Sequence, residues 1–554
     1  MTLAHTLDAP ARPQSDAPLL RVRDLTVSFT TARGPVTAVR DVSFDLHPGR
    51  TLAIVGESGS GKSTMSAAVN RLLAPNAVIE SGSMEFEGQD LARVDIARMR
   101  AVRGAGIGLV PQDPMSNLDP VLRVGDQIAE ALIVHGRMRS AAARARAVDL
   151  LEAVGIPEPT RRARQFPHEL SGGMRQRVLI AIGLACEPRL LIADEPTSAL
   201  DVTVQRQVLD QLGELTARLG TAVMLITHDL GLAAERADDV LVMYRGEIVE
   251  QGSAREILAS PAHEYTRRLI DAAPSLAAHR PIERVRHRDS GSPLLELRQI
   301  RKDYRVRDRG FGRARSFVAV ADSTFHVARG QTVSIVGESG SGKSTTARLV
   351  LGLEKPTSGS VLLDGEIPGK GLAARRAFTR RVQPVFQNPL ASLDSRFTIE
   401  DSIAEPLLVH SIGDATSRRD RVTALLEQVG LPDEYRSRRP HELSGGQRQR
   451  VSIARALALE PELVVLDEAV SALDVLVQAQ ILDLLTRLQD ELGLAYLFIS
   501  HDLAVVRQVS DVVHVMRRGE IVESGTPEQI FEAPTHVYTR ELLAAIPDPL
   551  AERA

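Results

Sequence analysis

The sequence predicts an α/β protein made of two copies of one domain, each with a mostly parallel sheet at its centre. The first observation is a repeat. GESGSGKST occurs at 56–64 and again at 337–345, and LSGGM with RQR at 170–177 recurs as LSGGQ with RQR at 443–450. LLIADEPTSALD at 190–201 is matched by VVLDEAVSALD at 464–474, and LITHDL at 225–230 by FISHDL at 498–503. The offset between copies is 281 at the first motif, 275 at Gln112 and Gln387, and 273 thereafter, so the second copy is shorter by 281 − 273 = 8 residues. A period this long marks duplicated domains rather than a small-repeat solenoid. The second observation is the pattern of short apolar runs, such as TLAIV (51–55), LLIAD (190–194) and VMLIT (223–227), set between helix-forming stretches. Runs of that length bounded by turn residues read as buried parallel strands. The third is length: 554 residues accommodate two domains of about 250 residues each.

Taken in order, 1–18 reads as a disordered lead-in rich in Pro, Ala and polar residues. Residues 19–272 form the first domain, 273–293 a Pro-, Ser- and charge-rich linker, 294–546 the second domain and 547–554 a tail. Segments 120–170 and 395–443 alternate helical patches with loops and carry no strong strand, so each domain is expected to hold an inserted helical subdomain.

Composition removes several classes of function. Charged residues make up 25% and hydrophobic residues 43%, which fits a globular protein. A net charge of −4 argues against bulk nucleic acid as the partner. The single cysteine, Cys186, excludes an intramolecular disulfide, a cysteine-rich zinc site and an iron–sulfur cluster within one chain. The N-terminus lacks the basic start and apolar core of a secretory signal. The longest uninterrupted run of apolar residues and Gly, Val178–Cys186, is about half of a membrane span. Only five of the 67 basic residues are Lys, at 62, 302, 343, 355 and 370.

Two of those lysines lie in GxxxxGK[ST] motifs, each after an apolar strand and before a helix. The first comprises Gly56, Glu57, Ser58, Gly59, Ser60, Gly61, Lys62, Ser63 and Thr64; the second Gly337, Glu338, Ser339, Gly340, Ser341, Gly342, Lys343, Ser344 and Thr345. Glycines let backbone N–H groups converge on phosphate oxygens, and the following helix adds the positive end of its dipole. A compact ammonium suits this cradle better than a planar guanidinium. Ser63 and Ser344 are candidate Mg²⁺ ligands. Asp194 and Asp467 close apolar strands, where they can face Mg²⁺; the adjoining Glu195 and Glu468 are candidate general bases for an attacking water. His228 and His501 follow apolar strands at the same 33-residue distance from those glutamates and can orient water or the γ-phosphate.

Together these motifs resemble the nucleotide-binding domains of ABC transporters, across roughly 19–272 and 294–546. The resemblance implies two P-loop ATPase domains, each with an antiparallel β subdomain beside the parallel core, and ATP with Mg²⁺ as cofactors. It places Gln112 and Gln387 in the Q-loop as Mg²⁺ and water contacts, and Phe29 and Tyr304 on the adenine. Ser171, Gly172 and Gly173, with Ser444, Gly445, Gly446 and Gln447, become the signature that contacts the γ-phosphate, and SALD at 198–201 and 471–474 the D-loop. It further implies intramolecular head-to-tail pairing: Lys62, Glu195 and His228 with Ser444–Gln447, and Lys343, Glu468 and His501 with Ser171–Met174. Met174 stands where Gln is usual, and Ala469-Val470 where the first half has Pro196-Thr197, so the site with Glu468 is expected to turn over more slowly.

QDPMSNLDP (112–120), QNPLASLDS (387–395), PHELSGG before each signature, and the codas HEYTRRL (263–269) and HVYTREL (536–542) resemble the peptide and nickel importer branch. That branch implies a peripheral ATPase at the cytoplasmic face of the inner membrane. Its partners would be two transmembrane permease subunits and, indirectly, an extracytoplasmic binding protein; its cargo dipeptides, oligopeptides, glutathione or nickel. The alternative is a soluble tandem ABC ATPase acting on ribosomes as a translation factor. Such factors carry a long, charged, helical linker, whereas this one is about 20 residues and contains Pro.

Overall fold

The computed structural model describes residues 17–31, 34–197, 200–273, 292–306, 315–471 and 473–546. Most of the expected lead-in, nearly all of the linker and the tail lie outside the described residues, as do positions 198, 199 and 472 of the two SALD motifs. The chain separates into two compact units, one for each copy of the repeat.

In the first unit a six-stranded sheet runs in the order Glu247–Ser253, Asp239–Tyr244, Thr51–Val55, Ala222–Thr227, Leu190–Asp194, Ile107–Val110. All neighbours are parallel except the first pair. The two innermost strands, at 51–55 and 222–227, carry apolar side chains on both faces, as a sheet covered on both sides by helices demands. Beside it lies an antiparallel sheet in the order Gly34–Leu46, Leu20–Thr31, Ala77–Phe86, Gln89–Asp90. Helices Val124–Val134 and Ser140–Ala153 fill the segment read as a helical insert and close over Ile128, Leu132, Ala147 and Leu151. The signature helix, Gly172–Leu184, buries residues on almost every side because its sequence, VLIAIGL, is apolar all round.

The second unit repeats the design. Its sheet runs Val382–Val385, Leu463–Asp467, Ala495–Ser500, Thr332–Val336, Val512–Arg517, Glu520–Gly525, again antiparallel only at the last pair. Its antiparallel sheet has three strands, Arg315–Val327, Leu295–Val306 and Ser358–Leu363. The strand that spans ten residues at Ala77–Phe86 is cut to six at Ser358–Leu363. Six of the eight missing residues fall between the phosphate loop and the glutamine, the interval that holds this strand (281 − 275). Among the described residues no helix is long and apolar enough to cross a membrane.

Candidate functional site

In each unit the chemistry collects where the parallel strands end. Strand Thr51–Val55 lies between Ala222–Thr227 and Asp239–Tyr244, so the chain leaving Val55 must turn over the carboxyl edge of the sheet, the place where open α/β sheets bind ligands. Two glycines make that turn possible. Gly56 has φ +159° and Gly61 φ +103°; a Cβ on Gly56 would sit 2.2 Å from the Met243 carbonyl oxygen, and one on Gly61 2.5 Å from that of Ala38. Gly61 then caps helix Lys62–Val69 in the left-handed conformation, with no side chain over the helix end. Gly337 and Gly342 repeat the arrangement against the Met516 and Ala319 carbonyls.

Lys62 is 5% exposed, and its Nζ donates to the carbonyl oxygens of Gly56 at 2.6 Å and Glu57 at 2.8 Å. Lys343 does the same to Gly337 and Glu338, at 2.6 and 2.9 Å. Burial pushes the Lys343 ammonium below its ordinary range, with the Glu468 carboxylate acting against it. The ammonium is thus folded back over its own loop, held by neutral oxygens. The Ser60 and Ser341 hydroxyls are enclosed and carry no hydrogen bond, so any phosphate contact from these residues falls to their backbone.

Ser63 Oγ donates to Asp194 Oδ1 at 3.3 Å, and Ser344 to Asp467 at the same distance. Burial, joined by the neighbouring glutamate, holds both aspartates above the usual carboxylate range. A hydroxyl and a charge-stressed carboxylate side by side are hard oxygen donors of the kind Mg²⁺ takes. Glu195 and Glu468 sit at φ +45° and +50°, a left-handed backbone that side chains seldom adopt, with their N–H groups fixed to the Ile226 and Ile499 carbonyls at 2.9 Å. Their carboxylates are gripped from two sides. Gln112 Nε2 donates to Glu195 Oε2 at 2.8 Å and Gln387 to Glu468 at 2.6 Å. His228 Nδ1 lies 3.4 Å from Glu195 and His501 Nδ1 3.6 Å from Glu468. Burial alone would lower each histidine; the glutamate beside it outweighs that and holds the ring above its ordinary value. The histidines are aimed by the residue that follows: Asp229 and Asp502 cap the next helix and receive backbone N–H groups from Leu232, and from Ala504 and Val505.

The remaining predicted residues stand apart from this cluster within each unit. Ser171 and Ser444 are N-caps of the signature helices and accept the N–H of Met174 and Gln447 at 3.3 Å. Phe29 is half-buried in its strand. The Tyr304 hydroxyl donates to Glu354, and Lys302 Nζ lies 5.1 Å above its ring. Two residues that no motif singles out also reach the loops: the Tyr265 hydroxyl accepts the N–H of Glu57 at 2.9 Å, and that of Tyr538 the N–H of Glu338 at 3.0 Å. Each lies inside a coda, but nothing in the coda's spacing indicates that it reaches the phosphate loop.

The ABC transporter family profile matches 39–198 and 320–471, which spans both loops, both signatures and both Asp–Glu pairs. The chain belongs to the ABC transporter family. As such it binds and hydrolyses ATP. A second profile, the oligopeptide/dipeptide transporter C-terminal region, matches 249–299 and 522–554 and so follows each ABC unit. The chain is 46% identical to the glutathione import ATP-binding protein GsiA of Pectobacterium atrosepticum, over 96% of this chain and 89% of that protein. Identity to the protein of that name from Escherichia coli K12 is 45%, over 96% and 89%. A solved dimeric ATP-binding cassette in a post-hydrolysis state with ADP and Pi matches at 28% identity and TM-score 0.39, over 43% of this chain and 99% of its own.

Proposed function

We propose that this ABC ATPase is the energy-coupling subunit of an importer for glutathione or a related short peptide. In this reading it works at the cytoplasmic face of the membrane on two separate permease subunits, which are supplied by an extracytoplasmic binding protein. The observation that carries the reading is end-to-end likeness, over 96% of the chain, to proteins named for glutathione import, with an oligopeptide/dipeptide region after both ABC units. No finding favours action on ribosomes.

Each phosphate loop would hold ATP through its backbone N–H groups and Lys62 or Lys343, and each would work with the signature of the other half. Phe29 and Tyr304 would stack on the adenines. Mg²⁺ would be held by Ser63, Asp194 and Gln112, and by Ser344, Asp467 and Gln387; when bound it neutralises charge on the phosphates. Glu195 and Glu468 would take the proton of the attacking water, each oriented by its Gln and His. Hydrolysis then alternates the liganded and released states that drive transport.

Uptake of labelled glutathione, short peptides and Ni²⁺ in cells carrying Lys62→Ala/Lys343→Ala tests the proposal. Loss of glutathione or peptide uptake, with recovery of the wild-type chain alongside membrane permeases, is expected. Loss of Ni²⁺ uptake alone, or recovery with ribosomes, would overturn it.

A further inference from the structure

The codas are recognisable in sequence, yet the chemistry above leaves them without a task. Their geometry supplies one. Glu57 is a junction in the phosphate loop. Its carbonyl accepts from Lys62 Nζ at 2.8 Å and from the Ser60 N–H at 3.1 Å, while its own N–H is taken by the Tyr265 hydroxyl at 2.9 Å. Glu338 is the same junction, with Lys343 Nζ at 2.9 Å, the Ser341 N–H at 3.1 Å and the Tyr538 hydroxyl at 3.0 Å. In each unit, therefore, one peptide residue separates the coda tyrosine from the phosphate-binding lysine. An N–H tied to a phenol oxygen cannot rotate toward the nucleotide, and the carbonyl of the same residue is thereby fixed for the lysine.

The tyrosines are themselves firmly seated, 2% and 1% exposed. Tyr265 stacks on Tyr244, with centroids 4.2 Å apart, and the Arg517 guanidinium lies 4.5 Å over Tyr538. Tyr244 and Arg517 are equivalent positions, each next to the methionine whose carbonyl walls the first loop glycine. The coda helix starts at a histidine: His263 Nδ1 accepts the Tyr265 N–H, and His536 Nδ1 the Tyr538 N–H, both at 3.1 Å. One carboxylate from the sheet's antiparallel edge strand clamps the turn before it. Glu250 accepts the N–H groups of Ala262 and His263, and Glu523 those of Thr535 and His536. The chain of contacts thus runs from edge strand to turn, helix, tyrosine, loop and lysine, and it is built twice.

We propose that Tyr265 and Tyr538 are positioning residues for nucleotide binding, each hydroxyl holding the phosphate loop of its own unit in the shape that receives ATP. The proposal rests on ATP binding at these loops and not on the identity of the cargo. A hydroxyl that only fills the core would leave nucleotide affinity unchanged when removed. A hydroxyl that shapes the loop would weaken ATP binding without slowing bound ATP.

The test is the full-length chain carrying Tyr265→Phe/Tyr538→Phe, which keeps both rings and deletes two oxygens. Tyr496→Phe serves as the comparison, because that hydroxyl is also buried but donates to the Leu485 carbonyl within the core. Direct titration with MgATP is expected to show affinity five- to tenfold weaker in the double variant, the size of one net hydrogen bond per site. Steady-state hydrolysis should show the same rise in KM with kcat within about twofold. Wild-type affinity in the double variant, or a loss no larger than that of Tyr496→Phe, overturns the proposal, as does a fall in kcat at unchanged KM. The titration uses the chain alone, so a failure of the import reading leaves this result standing.

Discussion

Met174 shows how one residue alters a site by what it cannot accept. In the second unit Gln447 and Ser444 cap one another: the Gln447 N–H donates to Ser444 Oγ, and Gln447 Oε1 accepts the Ser444 N–H at 3.0 Å. Gln447 Nε2 also reaches the Tyr435 hydroxyl at 3.1 Å. Met174 keeps the first bond through its backbone and has no oxygen for the second. Met174→Gln is expected to stabilise the first unit by about 0.5 kcal/mol, read as a higher denaturant midpoint. His514 is a second such case. It is buried beside Phe325 and Ser524, on a strand whose first-unit counterpart carries Leu241, and burial, with His326 nearby, pushes its ring down to about 4. The unfolded chain therefore takes up the proton first, near the ordinary value of about 6.5. The stability of this strand is full above that value and falls as pH drops from about 6.5 to about 4, by about 3 kcal/mol. His514→Leu should flatten that slope, measured as hydrogen-exchange protection of Val512–Arg517 against pH.

Among the elements, the strand–loop–helix of the phosphate site is the most tightly prescribed. Its sequence announces it because a backbone that must pass so close to neighbouring carbonyls admits only glycine, and that requirement survives as a fixed string of letters. Gly342 has φ +112°, and an added Cβ would lie 2.4 Å from the Ala319 carbonyl oxygen. Gly342→Ala should abolish MgATP binding at that loop alone, so that titration of the full-length chain falls from two equivalents to one. The strands at 51–55, 190–194 and 222–227 were legible for a related reason: a strand buried on both faces must be apolar throughout. The antiparallel sheet leaves no such pattern in its residues. Its strands mix buried and exposed positions and are broken by register shifts at Val22, Leu25 and Val27, which blurs the alternation that would mark them.

For the molecule as a whole, duplication with divergence makes the two ATP sites comparable within one chain. Both units keep Lys, Asp, Glu, Gln and His in the same contacts. The departures, Met174 and Ala469-Val470, would fall together on the site that contains Glu468 if each loop works with the opposite signature. On that pairing, the site with Glu468 is expected to turn over more slowly. ATPase measurement in the assembled transporter should show Glu195→Gln removing more than half of the activity and Glu468→Gln less than half; equal losses would contradict the assignment.

The duplicated α/β architecture, the phosphate loops, the Asp–Glu pairs and the histidines are all legible in the residues alone. Each of these demands particular residue types at fixed spacing along a single stretch of chain. Tertiary structure alone decided that Gln112 and His228 grip the same carboxylate, and that the Lys62 ammonium folds back on its own loop. It alone decided that a tyrosine 208 residues beyond Glu57 completes that loop. A hydrogen bond between distant segments leaves no periodicity in either of them; only the packing of the last helix against the sheet brings its donor and acceptor together.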